Sequence, residues 1–210
     1  MKRGRFITLE GIEGAGKSTQ LEVVRTCLAE RGIPVVVTRE PGGSPIAERM
    51  REILLDPNCH GMAPDAELLL MFAARAEHIA HKIAPALEDG TWVVCDRFTD
   101  ATYAYQGGGR GVQARRIALL EDYVQGSLRP DLTLLFDLDV EQGLARAGRR
   151  STPDRFESET RIFFEKVRAA YLALARAHAE RIRRFDASAD VAQVSANVRR
   201  LVREFIDEMS

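Results

Sequence analysis

Cysteine, lysine and long apolar runs are all scarce in this chain. Cys27, Cys59 and Cys95 are odd in number and far apart, which excludes a disulfide framework and gives no pair with metal-ligand or redox spacing; reduced thiols of a cytosolic protein are the simple reading. No apolar run approaches the length that spans a membrane. The basic start Met1-Lys2-Arg3-Gly4-Arg5 is followed only by a four-residue apolar stretch, not by a signal region. Excess charge of either sign is also missing: the formal net charge is −1, so no global basic field points to nucleic acid. The expectation is a soluble, cytoplasmic protein with neither membrane nor nucleic acid as partner. The 210 residues suffice for one α/β domain over 1–210, and no linker, repeat or low-complexity tract divides them.

Only four of the 30 basic residues are lysines, and one of the four ends a motif. Gly11-Ile12-Glu13-Gly14-Ala15-Gly16-Lys17-Ser18 fits G-x-x-x-x-G-K-[ST] at every fixed position. Phe6-Ile7-Thr8-Leu9 before it reads as a buried strand and residues 18–30 after it as a helix, the context the motif requires. Glycines permit the sharp turn that aims several backbone N–H groups at phosphate oxygens, and the helix N-terminus adds partial positive charge. Lys17 then reaches the β- and γ-phosphates and the Ser18 hydroxyl is a Mg²⁺ ligand, with Thr19 beside it. The motif implies a nucleoside triphosphate but not its use.

Further short apolar runs stand at Val35-Val36-Val37, Trp92-Val93-Val94-Cys95 and Leu132-Thr133-Leu134-Leu135-Phe136, with a weaker one from Ile182 to Phe185. They are continuous rather than alternating, as in strands covered on both faces. Helical patterns lie between them, at about 18–31, 45–55, 65–88, 114–126, 140–148, 158–178 and 190–208, the last with Asp190 as N-cap. Strands alternating with helices predict a five-stranded parallel sheet flanked by helices, with ligands gathered beyond the carboxyl ends of the strands. Gly107-Gly108-Gly109-Arg110-Gly111 reads as a flexible turn, and 148–154 as an arginine-rich break between helices.

Several strand ends carry polar groups. Asp96-Arg97 follows the third strand: the carboxylate suits Mg²⁺, directly or through water, or else caps the next helix, and Arg97 is a fork for a second phosphate. Arg39 and Glu40 end the second strand on the same side, with Arg51 in the next helix. Phe72 and Arg75 share a helix face, suited to clamping a base and a phosphate or to packing and solvation. His78 and His81 share a face too, but lack a third metal ligand at suitable spacing. Arg146, Arg149, Arg150 and Arg155 crowd the second break, as a solvated face or as a lid closing on the triphosphate from about 146 to 157.

Taken together with Thr38-Arg39-Glu40-Pro41-Gly42-Gly43, Ala104-Tyr105-Gln106-Gly107-Gly108-Gly109-Arg110-Gly111, Arg129-Pro130-Asp131-Leu132-Thr133-Leu134 and Asp154-Arg155-Phe156-Glu157, these pieces resemble the bacterial thymidylate kinase family over nearly the whole chain. The resemblance implies a P-loop nucleoside monophosphate kinase fold and transfer of the γ-phosphoryl of ATP to dTMP, with Mg²⁺, usually by a homodimer. It implies that Gly11, Ile12, Glu13, Gly14, Ala15, Gly16, Lys17, Ser18 and Thr19 hold ATP, with Glu13 near the acceptor. It implies that Ser18 and Asp96 serve the metal, and that Arg51, Arg75 and Arg97 grip the dTMP phosphate. Glu40, Thr102, Tyr105 and Gln106 would line the nucleoside pocket, and Phe72 would stack on thymine. Relatives of this kind place the stacking residue four before the helix arginine; here Phe72 is three before Arg75 and Met71 is four before. The loop carries no arginine, so a lid arginine would complete catalysis, with Arg149 and Arg150 favoured. Another phosphate-loop kinase, or a nucleotide-switched binding protein, is the alternative to this reading.

Overall fold

A computed structural model describes residues 3–148 and 154–209. Five strands form one parallel sheet in the order β2-β3-β1-β4-β5: β1 Phe6–Glu10, β2 Val35–Arg39, β3 Trp92–Asp96, β4 Leu132–Asp137 and β5 Ile182–Asp186. The central strands are buried along their length, β1 and β4 without exception, which is why their apolar runs are unbroken. Edge strand β5 alternates buried with more exposed residues, matching its weaker pattern. Because the chain passes from β1 outward to β2, back to β3 and then across to β4, the sheet has its switch of direction at β1. The loop after β1 therefore sits in the crevice where such sheets take ligands.

The helices are α1 Lys17–Glu30, α2 Pro45–Leu55, α3 Pro64–His78, α4 Ala84–Glu88, α5 Thr99–Thr102, α6 Ala114–Gln125, α7 Val140–Ala147, α8 Arg161–Ala177 and α9 Val191–Met209. Helices α3 and α4 are one continuous rod joined by a π-helical turn, Ile79–Ile83. Asp190 caps α9, its Oδ1 accepting from Ala192 N at 2.8 Å, and Thr160 caps α8 through Phe163 N. Ile7, Leu9, Val94, Leu134 and Phe136 of the sheet pack with Val24 and Leu28 of α1, Phe164 and Val167 of α8 and Val198 and Val202 of α9 in the main core.

One sequence expectation fails here. The glycine run is not a flexible turn: α5 continues as a π-helical segment over Tyr103–Gly109. The reason is tertiary. A Cβ on Gly108 would lie 2.8 Å from Ala170 Cβ and 2.9 Å from Lys166 carbonyl oxygen, and one on Gly109 would enter the Phe163 ring. These glycines permit close approach to α8; packing, not local propensity, sets the helix.

Candidate active site

The loop after β1 is shaped by glycine where no other residue fits. Gly14 has φ 73°, and a Cβ there would collide with the carbonyl oxygen of Gly143 in α7. Gly16, at φ 83°, delivers the chain into α1. Ile12 and Ala15 are buried beneath the loop, while Ser18 and Thr19 are exposed on the first turn of α1. Lys17 is buried, its Nζ 3.2 Å from the carbonyl oxygens of both Gly11 and Ile12. Burial first, and Arg97 second, lower its pKa, against Asp96, Glu13 and Glu10, which raise it.

Arg97 carries the one non-glycine positive φ among the described residues, 69°. Such backbone is held only when its surroundings over-determine it, and it clusters at functional sites. Here they do: Arg97 N donates to Leu9 O at 3.0 Å, Nη1 donates to Gly11 O at 2.8 Å and Tyr171 Oη at 3.2 Å, and Nη2 donates to Glu13 Oε1 at 2.8 Å. The guanidinium lies 4.8 Å from the Tyr105 ring centroid, and Tyr105 Oη donates to both Glu13 oxygens. Burial opposes the charge of Arg97, but Tyr105, Glu13, Tyr171 and Asp96 together hold its pKa well above the ordinary value. Beneath it, buried Glu10 accepts from Phe98 N at 2.7 Å and Tyr171 Oη at 2.8 Å. Burial, reinforced by Asp100, raises the Glu10 pKa to about 8. Neither Glu10 nor Tyr171 was singled out by sequence. The signal for Glu10 was a carboxylate closing a continuous apolar strand; Tyr171 gave none.

A cavity opens beside the loop. Its lining includes Glu13, Gly14, Lys17, Asp96 and Arg97, together with Glu40, Arg51, Met71, Arg75, Thr102, Tyr105 and Gln106. Arg75 is almost fully buried. Its Nε donates to Glu40 Oε2 at 2.8 Å and its Nη2 to Thr102 Oγ1 at 3.0 Å, while its Nη1 is buried with no hydrogen-bond partner among the described residues. Glu40 also pairs with His78 Nδ1 at 3.0 Å, and His78 Nε2 meets Thr38 Oγ1 at 2.7 Å. His78 is thus a buried support for Glu40, whereas His81 is exposed beside Glu77; they form no metal pair. Arg51 Nη1 donates to Pro41 O at 2.8 Å, and burial, then Arg39, lowers its pKa.

The stacking expectation for Phe72 needs correction. Its side chain is buried with Leu68, Val112 and Ile117 and does not line the cavity; Met71 does. Helix α3 is regular through Arg75, its π turn lying only at Ile79–Ile83. The i, i+4 neighbour of Arg75 on that face is therefore Met71.

Of the four break arginines, Arg149 and Arg150 lie outside the described residues. Arg146 donates to Ala187 O at 3.1 Å. Arg155 is 3% exposed: its Nη1 pairs with Glu67 at 2.7 Å, its Nε donates to Leu54 O, and its guanidinium stacks on Phe156. Arg155 is an anchor at the end of the break rather than a group free to reach phosphate. Asp96 does not cap α5. Its Oδ1 is buried without a hydrogen-bond partner among the described residues, and the helix entrance at Phe98 N is met by Glu10 instead.

A family model described as thymidylate kinase matches residues 9–198. The chain is 59% identical over 204 residues to a thymidylate kinase of Ectopseudomonas mendocina, covering 97% of each chain. It is 64% identical over 188 residues to one of Alkalilimnicola ehrlichii, covering 89% of this chain and 87% of that one. A crystal structure of thymidylate kinase from Ehrlichia chaffeensis superposes with a TM-score of 0.77 at 32% identity, covering 96% of this chain and 99% of that one.

Proposed function

The chain belongs to the thymidylate kinase family, and from that premise we propose how its residues divide the work of moving the γ-phosphoryl group of ATP to dTMP. The products of that transfer are dTDP and ADP, in nucleotide biosynthesis. The observation that carries the division of roles is that Lys17 of the phosphate loop and the Arg51, Arg75 and Arg97 guanidiniums line one cavity. Phosphoryl transfer needs two anions brought in line, water excluded and positive charge on the migrating group.

In this reading Gly11–Thr19 hold the donor phosphates through backbone N–H groups, and Lys17 Nζ exchanges the Gly11 and Ile12 carbonyls for phosphate oxygens. Arg97 grips the acceptor phosphate while Glu13 and Tyr105 keep its fork oriented. The unpartnered Nη1 of Arg75 supplies a second donor on the acceptor side, and Arg51 a third. Met71 covers one face of the base, and Glu40, Thr102, Tyr105 and Gln106 border the nucleoside. In this reading the arginine-rich break, anchored at Arg155, serves as the lid, with Arg149 and Arg150, outside the described residues, bringing charge to the transferring group.

The residues fit Mg²⁺. Asp96 Oδ1 is a buried oxygen lacking a hydrogen-bond partner among the described residues, and the Ser18 hydroxyl is exposed on the first turn of α1. Mg²⁺ commonly takes one or two protein oxygens and leaves the rest to waters and phosphates. When bound, the ion neutralises charge developing on the phosphates.

We further infer a homodimer in the cytoplasm. No described helix is long and apolar enough to cross a membrane. The adjacent helices α2, α3 and α6 expose Ile53, Leu69, Leu119 and Tyr123, the last 87% accessible, an apolar surface suited to a second copy. Light scattering tests the mass. The test of the function itself is coupled ADP release with ATP·Mg²⁺ and a panel of nucleoside monophosphates. dTMP stimulates turnover above every other acceptor; a stronger response to another monophosphate would refute the assignment.

A further inference from the structure

Glu67 of α3 is a carboxylate with no exposed surface. Three donors converge on it. Gln106 Nε2 donates to Oε1 at 2.8 Å. Arg110 Nε lies 3.3 Å from Oε1 and 3.2 Å from Oε2. Arg155 Nη1 meets Oε2 at 2.7 Å. Facing two guanidiniums, which can only donate, the Glu67 carboxylate offers its neighbours only lone pairs. The end of the Gln106 amide that faces it is therefore the NH₂, an orientation fixed by chemistry even though amide oxygen and nitrogen look alike in shape. The carbonyl oxygen must then face away from Glu67. Gln106 lines the cavity, and among the described residues no hydrogen bond occupies its Oε1.

We propose that Glu67 is a specificity-determining positioning residue: it locks the Gln106 amide so that the pocket shows the base a carbonyl oxygen, which selects a pyrimidine bearing N–H at ring position 3 over one bearing a lone pair there. The inference rests on the placement of the acceptor base beside Gln106. Thymine and uracil carry that N–H; cytosine turns a lone pair to the same oxygen, and two acceptors facing each other in a buried site repel.

The isosteric change Glu67→Gln reverses the polarity. Arg155 and Arg110 hold the side-chain oxygen at the Oε2 position, so the new NH₂ faces Gln106. Gln106 then turns its oxygen inward and shows NH₂ to the base. The measurement is kcat/KM for dTMP, dUMP and 5-methyl-dCMP. 5-Methyl-dCMP keeps the thymine methyl and inverts the hydrogen-bonding edge; dUMP keeps the edge and drops the methyl.

Glu67→Gln lowers the preference for dTMP over 5-methyl-dCMP by about 10- to 100-fold and leaves the dTMP-to-dUMP ratio unchanged. Glu67→Asp, still an acceptor only, keeps the preference for dTMP. A wild-type ratio in Glu67→Gln, or an equal loss for all three nucleotides, overturns the role of Glu67. Gln106→Ala separates the two levels. If it leaves KM for dTMP and both ratios unchanged, the placement of the base fails and the inference with it; if it impairs dTMP while Glu67→Gln keeps the wild-type ratio, only the role of Glu67 fails. Should Glu67→Gln not fold, the wild-type protein decides by ¹⁵N NMR. The Gln106 side-chain NH₂ protons exchange slowly without nucleotide and hold their shifts when dTMP is added; fast exchange, or a large shift on adding dTMP, overturns the lock.

Discussion

The phosphate loop and the cavity we assign to the acceptor adjoin, yet they are made of different material. The loop presents backbone, turned by Gly11, Gly14 and Gly16 at φ 140°, 73° and 83°, with Lys17 as its cation. The cavity presents side chains from several separate elements: Glu40 after β2, Arg51 on α2, Met71 and Arg75 on α3, Arg97 after β3, and Thr102, Tyr105 and Gln106 on the helix that follows. On the acceptor side two of the three arginines are also paired with carboxylates, Arg97 with Glu13 and Arg75 with Glu40. A backbone cradle reads phosphate and little else. A cavity built from pre-paired guanidiniums reads a particular shape, and keeps its forks aimed without leaving several like charges uncompensated.

The largest effects belong where the halves meet. Lys17→Ala and Arg97→Ala each lower kcat on the order of 10³-fold, with far-ultraviolet circular dichroism unchanged. They differ in KM: Lys17→Ala raises it for ATP and Arg97→Ala for dTMP. If both variants weakened both nucleotides equally in steady-state kinetics, the division into two halves would be wrong. Next in size is Arg75→Ala, expected to cut kcat/KM for dTMP about 10²-fold while KM for ATP holds. It also strands Glu40 without its guanidinium, and breaking a buried pair costs about 3–5 kcal/mol, so thermal unfolding shifts down as well.

A smaller pair of changes tests the acceptor side against the core behind it. Phe72→Ala removes a buried ring and destabilises by about 3–5 kcal/mol, with KM for dTMP near wild type at temperatures where the variant is folded. Met71→Ala does the reverse, raising KM for dTMP about tenfold at little cost in melting temperature. Equal KM effects would return the base to Phe72.

The contrast also explains what could be read from the sequence. The donor half is local in the chain, so one motif between an apolar strand and a helix displayed it. The five strands were legible because burial on both faces makes them continuous apolar runs. The acceptor half is assembled from residues up to 66 positions apart between Glu40 and Gln106, and only its resemblance to known kinases gathered them. What went unread depended on packing. Gly108 and Gly109 look like a turn until α8 lies against them, Phe72 and Met71 differ only in which way the helix faces, and Glu10, Glu67 and Tyr171 meet the other site residues only in the folded chain.

Glu10 lies under both halves, touching Phe98 N directly and Arg97 through Tyr171, and it gives the smallest effect. Its pKa stands at about 8 in the folded protein against 4.5 ordinarily, chiefly from burial and then from Asp100. A carboxyl with a raised folded value binds more protons native than unfolded between those limits. Its contribution is therefore fully present below about pH 4.5 and is lost as pH rises toward and through about 8. Glu10→Gln keeps the neutral shape and cannot ionise. Wild type and variant should melt at similar temperatures near pH 5, and the variant should gain on the wild type progressively as pH rises to 8. Melting curves at pH 5, 6.5 and 8 measure it. A gap that is constant with pH would mean that Glu10 is ionised throughout, and that the support beneath Arg97 is a fixed charge rather than a neutral hydrogen-bonding group.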